Sequence, residues 1–112
     1  MTQENCIFCK IASGLIPAPK LYEDDAFFCI RDLRPQAPTH LLIIPKEHVA
    51  SLEFASADLV GRMFEVSKRV ARQEGLVRGY RNIFNTGPDG GQTVFHLHLH
   101  LLGGKSLSDD LA

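Results

Sequence analysis

The pattern of hydrophobic and polar positions predicts one long amphipathic helix, over residues 56–74. Its apolar positions are Leu59, Met63, Val66 and Val70, and their spacing places them on one helical face. Ser56 suits the N-cap position, and Gly75 suits the first residue beyond the last turn. Basic side chains fall mostly outside the apolar stripe, so this helix is expected to lie on a core with its polar side in water.

Shorter apolar segments predict strands on both sides of this helix. The predicted strands are Leu21–Glu23, Ala26–Arg31, Leu41–Ile44, Tyr80–Asn85 and Val94–Leu102. A short helix over Cys6–Ala12 precedes them, and the proline- and glycine-rich segments Asp32–Thr39 and Thr86–Gln92 are expected to be loops. Because most strands follow one another directly, we expect an α+β fold: a five-stranded, mainly antiparallel sheet, one long helix and a short N-terminal helix.

Length and charge narrow the class of protein. The 112 residues, 12.4 kDa, suit a single domain over residues 1–112, with residues 1–5 and 105–112 as flexible tails. The net charge of -1 and the dispersed arginines argue against a nucleic-acid partner. No apolar run reaches the ~18 residues of a membrane span, the N-terminal residues are polar, and the cysteine count of three is odd. We therefore expect a reduced, cytoplasmic protein without a membrane partner.

The most informative segment is the last predicted strand, where histidine and leucine alternate. Side chains on a strand point to alternate faces, and residues two apart stand about 6.6 Å from each other. One face would carry His96, His98 and His100, and the other Leu97, Leu99 and Leu101. The leucine face is expected to be buried, so the histidine face must meet water, a ligand or a metal.

Three interpretations fit this spacing. The histidines can belong to a half-exposed strand, they can bind a metal ion, or a neutral imidazole can act as a nucleophile while its neighbour handles a proton. The loop Gly87–Thr93 leads directly into the strand, and its bare backbone N–H groups suit an anion. That placement favours a phosphate substrate over a hydrolytic metal.

Cys6 and Cys9 form a Cys-x-x-Cys pair near the N-terminus. Such a pair is half of a zinc site, a redox motif or two buried thiols. A redox motif follows a strand of a βαβ unit, and no strand is predicted before Cys6. Cys29, within a predicted strand, is expected to contribute to packing.

Several motifs together resemble the histidine triad (HIT) superfamily. They are His96-Leu97-His98-Leu99-His100-Leu101-Leu102, the preceding Gly90-Gly91-Gln92-Thr93-Val94-Phe95, and Asp32 to His40 followed by Leu41 to Lys46. The resemblance runs from about Cys6 to Gly104, and Gly103-Gly104 is similar to the Hint branch. The tail beyond it departs from that branch, because it carries no tryptophan.

The resemblance implies a homodimeric purine nucleoside phosphoramidate hydrolase that releases a nucleoside monophosphate through a nucleotidyl-histidine intermediate. His98 would be the nucleophile, and His100 would contact the phosphate and help to protonate the leaving amine. His40 and His96 would orient or relay. The matching nucleotide-binding residues are Asp32, Leu33, Asn85, Gly91, Gln92, Thr93, His98 and His100.

The resemblance also implies a structural zinc site, while no cofactor is required for the chemistry. Its matching ligands are Cys6, Cys9, His48 and His96. Two other functions stay open. A zinc-dependent hydrolase would lose activity but not its fold on chelation, and a nucleotide-binding regulatory protein would bind nucleoside monophosphates with only incidental turnover.

Overall fold

A computed structural model describes residue 3 and residues 5–110 of the chain. The described elements are α1 (Ile7–Ala12), β1 (Tyr22–Glu23), β2 (Phe27–Arg31), β3 (Thr39–Pro45), a 3-10 turn (Leu52–Phe54), α2 (Ala57–Gln73), β4 (Tyr80–Ile83) and β5 (Leu99–Gly103). The five strands form one antiparallel sheet in the order β1-β2-β3-β5-β4, which confirms the predicted α+β architecture. Within the described part of the chain, no helix has the length and apolar character needed to cross a bilayer.

Helix α2 forms where the apolar periodicity predicts it. The Ser56 side chain accepts a hydrogen bond from the Leu59 backbone N–H at 3.1 Å, as an N-cap should. Gly75 adopts a φ of 72°, a left-handed conformation that ends the helix at low cost. Met63, Val66 and Val70 are buried on the face that packs against the sheet.

Both faces of the central strands are covered, because β2 and β3 alternate their side chains between two apolar clusters. On one face, Phe27, Cys29, Leu41 and Ile43 pack with α2 and with Leu97, Leu99 and Leu101 of the histidine segment, residues 96–101. On the other face, Phe28, Ile30, Leu42 and Ile44 pack with Phe8 and Ile11 of α1. This two-sided burial explains the nearly continuous apolar sequence of these strands.

The last strand is shorter than predicted, since the ladder begins at Leu99 and not at Val94. The register pairs Ile43 with Leu99, and β3 ends two residues later at Pro45, which has no N–H to contribute. The Leu97 N–H bonds instead to the Val49 carbonyl at 2.7 Å. The predicted alternation nevertheless holds, because Leu97 joins the same apolar cluster as Leu99 and Leu101.

Smaller differences concern the neighbouring boundaries. Strand β3 begins at Thr39, inside the predicted loop, and β4 ends at Ile83. The predicted N-terminal tail lies largely outside the described residues, as do the last two residues of the predicted C-terminal tail. Residues 105–110 are described, and Arg81 of β4 donates a hydrogen bond to the Ser108 carbonyl.

We predict that Leu101→Ala lowers the free energy of unfolding by about 2–5 kcal/mol, because it leaves a cavity in the cluster beneath α2. Leu101 is fully buried, whereas Leu15 is 77% exposed, so Leu15→Ala is a matched control that should change stability by less than about 0.5 kcal/mol. Urea unfolding of both variants measures the difference. Equal effects would contradict the packing described above.

Candidate active site

Strands β3 and β5 bring two histidines into direct contact. Leu42 of β3 pairs with His100, so His40 is a diagonal neighbour of His100 across the two strands. His40 Nε2 lies 2.9 Å from His100 Nδ1. The pairing of two strands that are 60 residues apart in sequence therefore builds the first part of the site.

Hydrogen bonding fixes which nitrogen of each ring carries the proton. The Gln36 backbone N–H donates to His40 Nδ1 at 3.0 Å, so a neutral His40 carries its hydrogen on Nε2. That hydrogen is donated to His100 Nδ1, which leaves the proton of His100 on Nε2. Asp32 Oδ2 lies 3.5 Å from His40 Nε2 and favours the same tautomer. His100 thus presents a hydrogen-bond donor to its surroundings.

His98 has the opposite arrangement. Its Nδ1 lies 2.7 Å from the His96 carbonyl oxygen, and because a carbonyl only accepts, Nδ1 carries the proton. The lone pair is then on Nε2. The ring is held between Phe8 and His100, with ring centroids 5.2 Å and 5.1 Å away, so its orientation is set by packing as well as by the hydrogen bond.

Burial favours the uncharged forms of His98 and His100. It lowers the pKa of His98, and it lowers the pKa of His100 to about 4, with the nearby His98 and His40 adding to the shift in His100. The Asp32 carboxylate acts in the opposite direction on both residues but is a smaller effect. A neutral imidazole with a free Nε2 lone pair is the form in which histidine is a nucleophile.

His98 and His100 line a cavity of about 580 Å³. Its wall includes all the residues for which nucleotide binding is predicted: Asp32, Leu33, Asn85, Gly91, Gln92, Thr93, His98 and His100. Leu33 is 98% exposed at the rim, where a bound ligand would cover it. The cavity therefore combines an apolar wall, an acidic side chain, a glycine-containing loop and two imidazoles.

Sequence reasoning did not find the apolar wall of this cavity. It is formed by Phe8 and Ile11 of α1, Ile30 of β2 and Leu42 of β3. The apolar face of α1 was a signal for a buried helix, but only the sheet topology places that helix beside the histidines. Gln36, whose backbone N–H sets the His40 tautomer, was also missed, because a contact made by the backbone does not depend on the residue type.

Hydrogen bonds from two side chains stabilise the loop before the histidines. The buried Gln92 side chain accepts from the Gly87 N–H at 2.9 Å and donates to the Ala50 carbonyl at 2.8 Å and to the Val94 carbonyl at 3.1 Å. Asn85 donates to the Gly90 carbonyl at 2.8 Å. The carboxamide of Gln92 is thus engaged within the protein, so its side chain shapes the loop and leaves anion contacts to other groups.

A second cluster lies behind the site and holds the four predicted metal ligands, Cys6, Cys9, His48 and His96. Their sulfur and nitrogen atoms all lie within 4.8 Å of one another. Cys6 Sγ and Cys9 Sγ are 3.2 Å and 3.6 Å from His96 Nδ1, and Cys9 Sγ is 3.4 Å from His48 Nδ1. A tetrahedral zinc ion separates its sulfur and nitrogen ligands by about 3.6 Å, given its bond lengths.

The tautomer of His96 also suits a metal. Its Nε2 lies 2.7 Å from the Pro45 carbonyl oxygen and so carries the proton, which turns the Nδ1 lone pair toward the two sulfur atoms. Cys6 is the N-cap of α1, and its sulfur accepts from the Cys9 backbone N–H at 3.4 Å. The donor set fits a four-coordinate ion, and none of the four residues lines the large cavity.

The family model for the HIT domain matches residues 13–107. The chain belongs to the HIT family. The match begins after Cys6 and Cys9, so two members of the candidate metal cluster come from the preceding segment.

Three relatives illustrate the similarity. The chain is 46% identical to a purine nucleoside phosphoramidase from Escherichia coli, over 97% of this chain and 95% of that protein. It is 46% identical to a 14 kDa zinc-binding protein from Zea mays, over 91% of this chain and 84% of that protein. A histidine triad protein from Clostridium difficile superposes with a TM-score of 0.94 at 45% identity, covering 97% and 98% of the two chains.

The lowered pKa of His100 predicts acid sensitivity of the fold. The unfolded chain takes up a proton near the ordinary value of 6.5 and the folded chain only near pH 4. The unfolded state therefore binds more protons between these values, so stability falls as the pH drops through this window and levels off below it. Urea unfolding at pH 7, 6 and 5 should show a shallower decline in His100→Asn than in the wild type. Identical declines would contradict the buried, neutral state of His100.

Proposed function

We propose that this protein hydrolyses purine nucleoside phosphoramidates and releases the nucleoside monophosphate through a covalent intermediate on His98. One observation carries the proposal: the His96 carbonyl holds the proton of His98 on Nδ1, which leaves the Nε2 lone pair for attack beside His100. The similarity to the Escherichia coli purine nucleoside phosphoramidase supports the substrate class.

The cavity offers a place for each part of such a substrate. The base would lie between the apolar wall from α1 and the exposed Leu33, and a ribose hydroxyl would donate to the Asp32 carboxylate. The phosphate would lie near His98 and His100 and against the loop that contains Gly91 and Thr93. Backbone N–H groups and a hydroxyl can bind this anion without a lysine.

In the first step, the Nε2 lone pair of His98 forms a bond to phosphorus. The P–N bond breaks, its electron pair stays with nitrogen, and a proton taken up from solvent completes the amine. In the second step, a water oxygen bonds to phosphorus, the Nε2–P bond returns its electron pair to His98, and the proton of water is released. The His96 carbonyl stabilises the positive charge on the His98 ring while the intermediate exists.

His100 contributes as a hydrogen-bond donor. Its Nδ1 accepts from His40, so a second proton on that nitrogen would face the N–H of His40. The Nε2–H of His100 therefore stabilises the phosphate and the leaving nitrogen, and His40 positions it. His100 therefore donates a hydrogen bond to these groups but does not transfer its proton to the leaving nitrogen.

The two alternative functions receive less support. A zinc-dependent hydrolase needs a metal with an open coordination position at the substrate cavity, whereas the Cys and His cluster offers four ligands and lies outside the cavity lining. A binding protein with incidental turnover would not need the lone pair of His98 to be kept free. The homodimer, the cytoplasmic location, the single domain and the lack of nucleic-acid or membrane partners stay predictions from the sequence.

The test of this proposal uses adenosine 5′-phosphoramidate, a quench in base and an intact mass measurement, because phosphohistidine bonds are labile in acid. We expect a nucleotidyl adduct on the wild type, and turnover reduced by about 10³-fold or more in His98→Asn with no adduct. Thermal melting by circular dichroism controls for folding. Near-normal turnover in His98→Asn would contradict the covalent mechanism, and binding of AMP without any turnover by the wild type would favour the binding protein.

We also propose that Cys6, Cys9, His48 and His96 hold a structural zinc ion. Zinc would there link α1 to the segment after β3 and to the histidine segment. The similarity to the maize zinc-binding protein supports this assignment. Burial raises the pKa of the Cys6 thiol, so the thiol would give up its proton only as the metal binds.

Zinc content and thermal stability test the metal site independently of activity. We expect one zinc ion per chain by elemental analysis, and a lower melting temperature after treatment with a chelator, because the cross-link between distant segments is lost. Cys9→Ser should lose zinc. Cys29→Ser should keep it, because Cys29 lies in the apolar cluster that packs against α2. Equal zinc content in both variants would contradict the assignment.

A further inference from the structure

One side chain lies between the two cysteines of the candidate metal cluster and also contacts the proposed nucleophile. Phe8 is buried and stands between Cys6 and Cys9 in the sequence. Its ring meets the rings of His96 and His98 edge to face, with centroids 5.7 Å and 5.2 Å away. Aromatic rings attract one another in this geometry. The cysteines on both sides of Phe8 thus set its position, and its ring in turn supports one side of His98.

The same cysteines provide the polar attachment of α1 to the rest of the fold. Helix α1 has six residues, and a helix this short is not stable without tertiary contacts. Within the described residues, the two sulfur atoms make all polar contacts between residues 6–12 and the chain beyond residue 16, and their partners are His48 and His96. The other contacts are the apolar packing of Phe8 and Ile11, which is not directional. Whatever fixes the sulfur atoms therefore fixes α1.

Metal binding would change how firmly these sulfur atoms are held. A thiol S–H is only a weak hydrogen-bond donor to an imidazole nitrogen. As ligands of a zinc ion, sulfur and nitrogen atoms instead have fixed distances and directions. The four donor atoms already lie within 4.8 Å of one another, so binding needs little rearrangement and replaces weak contacts with strong ones. Helix α1, and Phe8 with it, would be held more tightly in the zinc-loaded protein.

His96 supplies a second link between the cluster and the nucleophile. The ring is fully buried, and its Nδ1 lies 3.2 Å from Cys6 Sγ and 3.6 Å from Cys9 Sγ. The main-chain carbonyl of the same residue lies 2.7 Å from His98 Nδ1. A shift of the His96 ring therefore moves the carbonyl that holds the proton of His98. Both links act on one ring, Phe8 at its side and His96 at its Nδ1.

We infer that Phe8 and His96 are positioning residues that transmit zinc binding at the cluster to the ring of His98, so that the zinc-loaded protein turns over faster than the zinc-free protein. This inference rests on the proposed function and adds regulation of the same site by metal. The covalent steps are unchanged, because the cluster lies outside the cavity lining and acts only through the orientation of His98. The effect should therefore fall on kcat more than on KM.

The first test compares zinc-loaded and zinc-free wild type with adenosine 5′-phosphoramidate as substrate. Removal of zinc by a chelator should lower kcat about tenfold, since small misplacements of a reacting group cost this much or more, and should change KM little. Added Zn²⁺ should restore kcat. Added Mg²⁺ should not, because it prefers oxygen ligands. Circular dichroism establishes that the zinc-free chain is folded.

A spectroscopic measurement reports on His98 without any turnover. The ¹⁵N chemical shifts of a histidine ring distinguish the nitrogen that carries the proton from the one that carries the lone pair. In the zinc-loaded protein we expect His98 to be protonated on Nδ1 alone, as the His96 carbonyl requires. In the zinc-free protein we expect a mixture of both tautomers. A general loss of stability that leaves the ring in place would not produce this mixture, and identical His98 signals in the two forms would overturn the inference.

A matched pair of variants assigns the effect to Phe8. Phe8→Leu keeps all four ligands, so it should still bind one zinc ion, with a lower kcat. Removal of zinc should then lower kcat by a smaller factor than in the wild type, because one of the two links is already broken. Phe28→Leu is the control, since Phe28 is buried in the same apolar cluster but does not belong to the cavity lining given by the described residues. It should keep the wild-type zinc effect.

The outcomes separate this inference from the proposals on which it rests. Equal kcat in folded zinc-loaded and zinc-free protein would overturn the coupling and leave the proposed hydrolysis in place. If the zinc-free chain unfolds, the zinc-loaded variants decide, and an equal kcat in Phe8→Leu and Phe28→Leu would overturn the role of Phe8. If neither form hydrolyses the substrate, the proposed function fails, and the ¹⁵N spectra still decide whether the cluster orients His98. A folded chain that binds no zinc would overturn the zinc site and this inference together.

Discussion

The antiparallel pairing of β3 with β5 is the constraint on which both clusters depend. Its register sets His40 diagonally against His100, at a distance that allows a direct hydrogen bond between the rings. The same ladder stops at the pair Ile43 and Leu99, two residues before Pro45 ends β3. The free Pro45 carbonyl accepts from the His96 ring, so the end of the ladder also positions the candidate metal cluster.

His96 connects the candidate metal cluster with the candidate active site. Its ring lies among Cys6, Cys9 and His48, and its carbonyl accepts the hydrogen bond that fixes the tautomer of His98. Packing against Phe8 adds a second link, since this side chain of α1 touches the rings of both His96 and His98. A change that moves α1 or the cysteines would thus be transmitted to the orientation of His98 over a short distance.

Much of this arrangement could be predicted from the sequence, for physical reasons that differ between elements. The apolar stripe and the caps of α2 act locally, so periodicity and residue type identified the helix correctly. The alternation of histidine and leucine also predicted which side chains are buried, although the ladder covers only part of the segment. The predicted start of β5 was wrong. The observed start depends on Pro45, about fifty positions earlier in the chain, and on the competing hydrogen bond from the Leu97 N–H to the Val49 carbonyl.

The contacts that decide the chemistry were harder to predict, because several are made by the backbone. The amide of Gln36 and the carbonyl of His96 determine where the protons of His40 and His98 lie, yet any residue type supplies such groups. Burial then favours the neutral rings by lowering the pKa of His98 and His100. Charged imidazoles would be poor nucleophiles, and exposed ones would rotate freely. The same burial that lowers stability in acid therefore keeps the lone pair of His98 and the N–H of His100 directed into a single cavity.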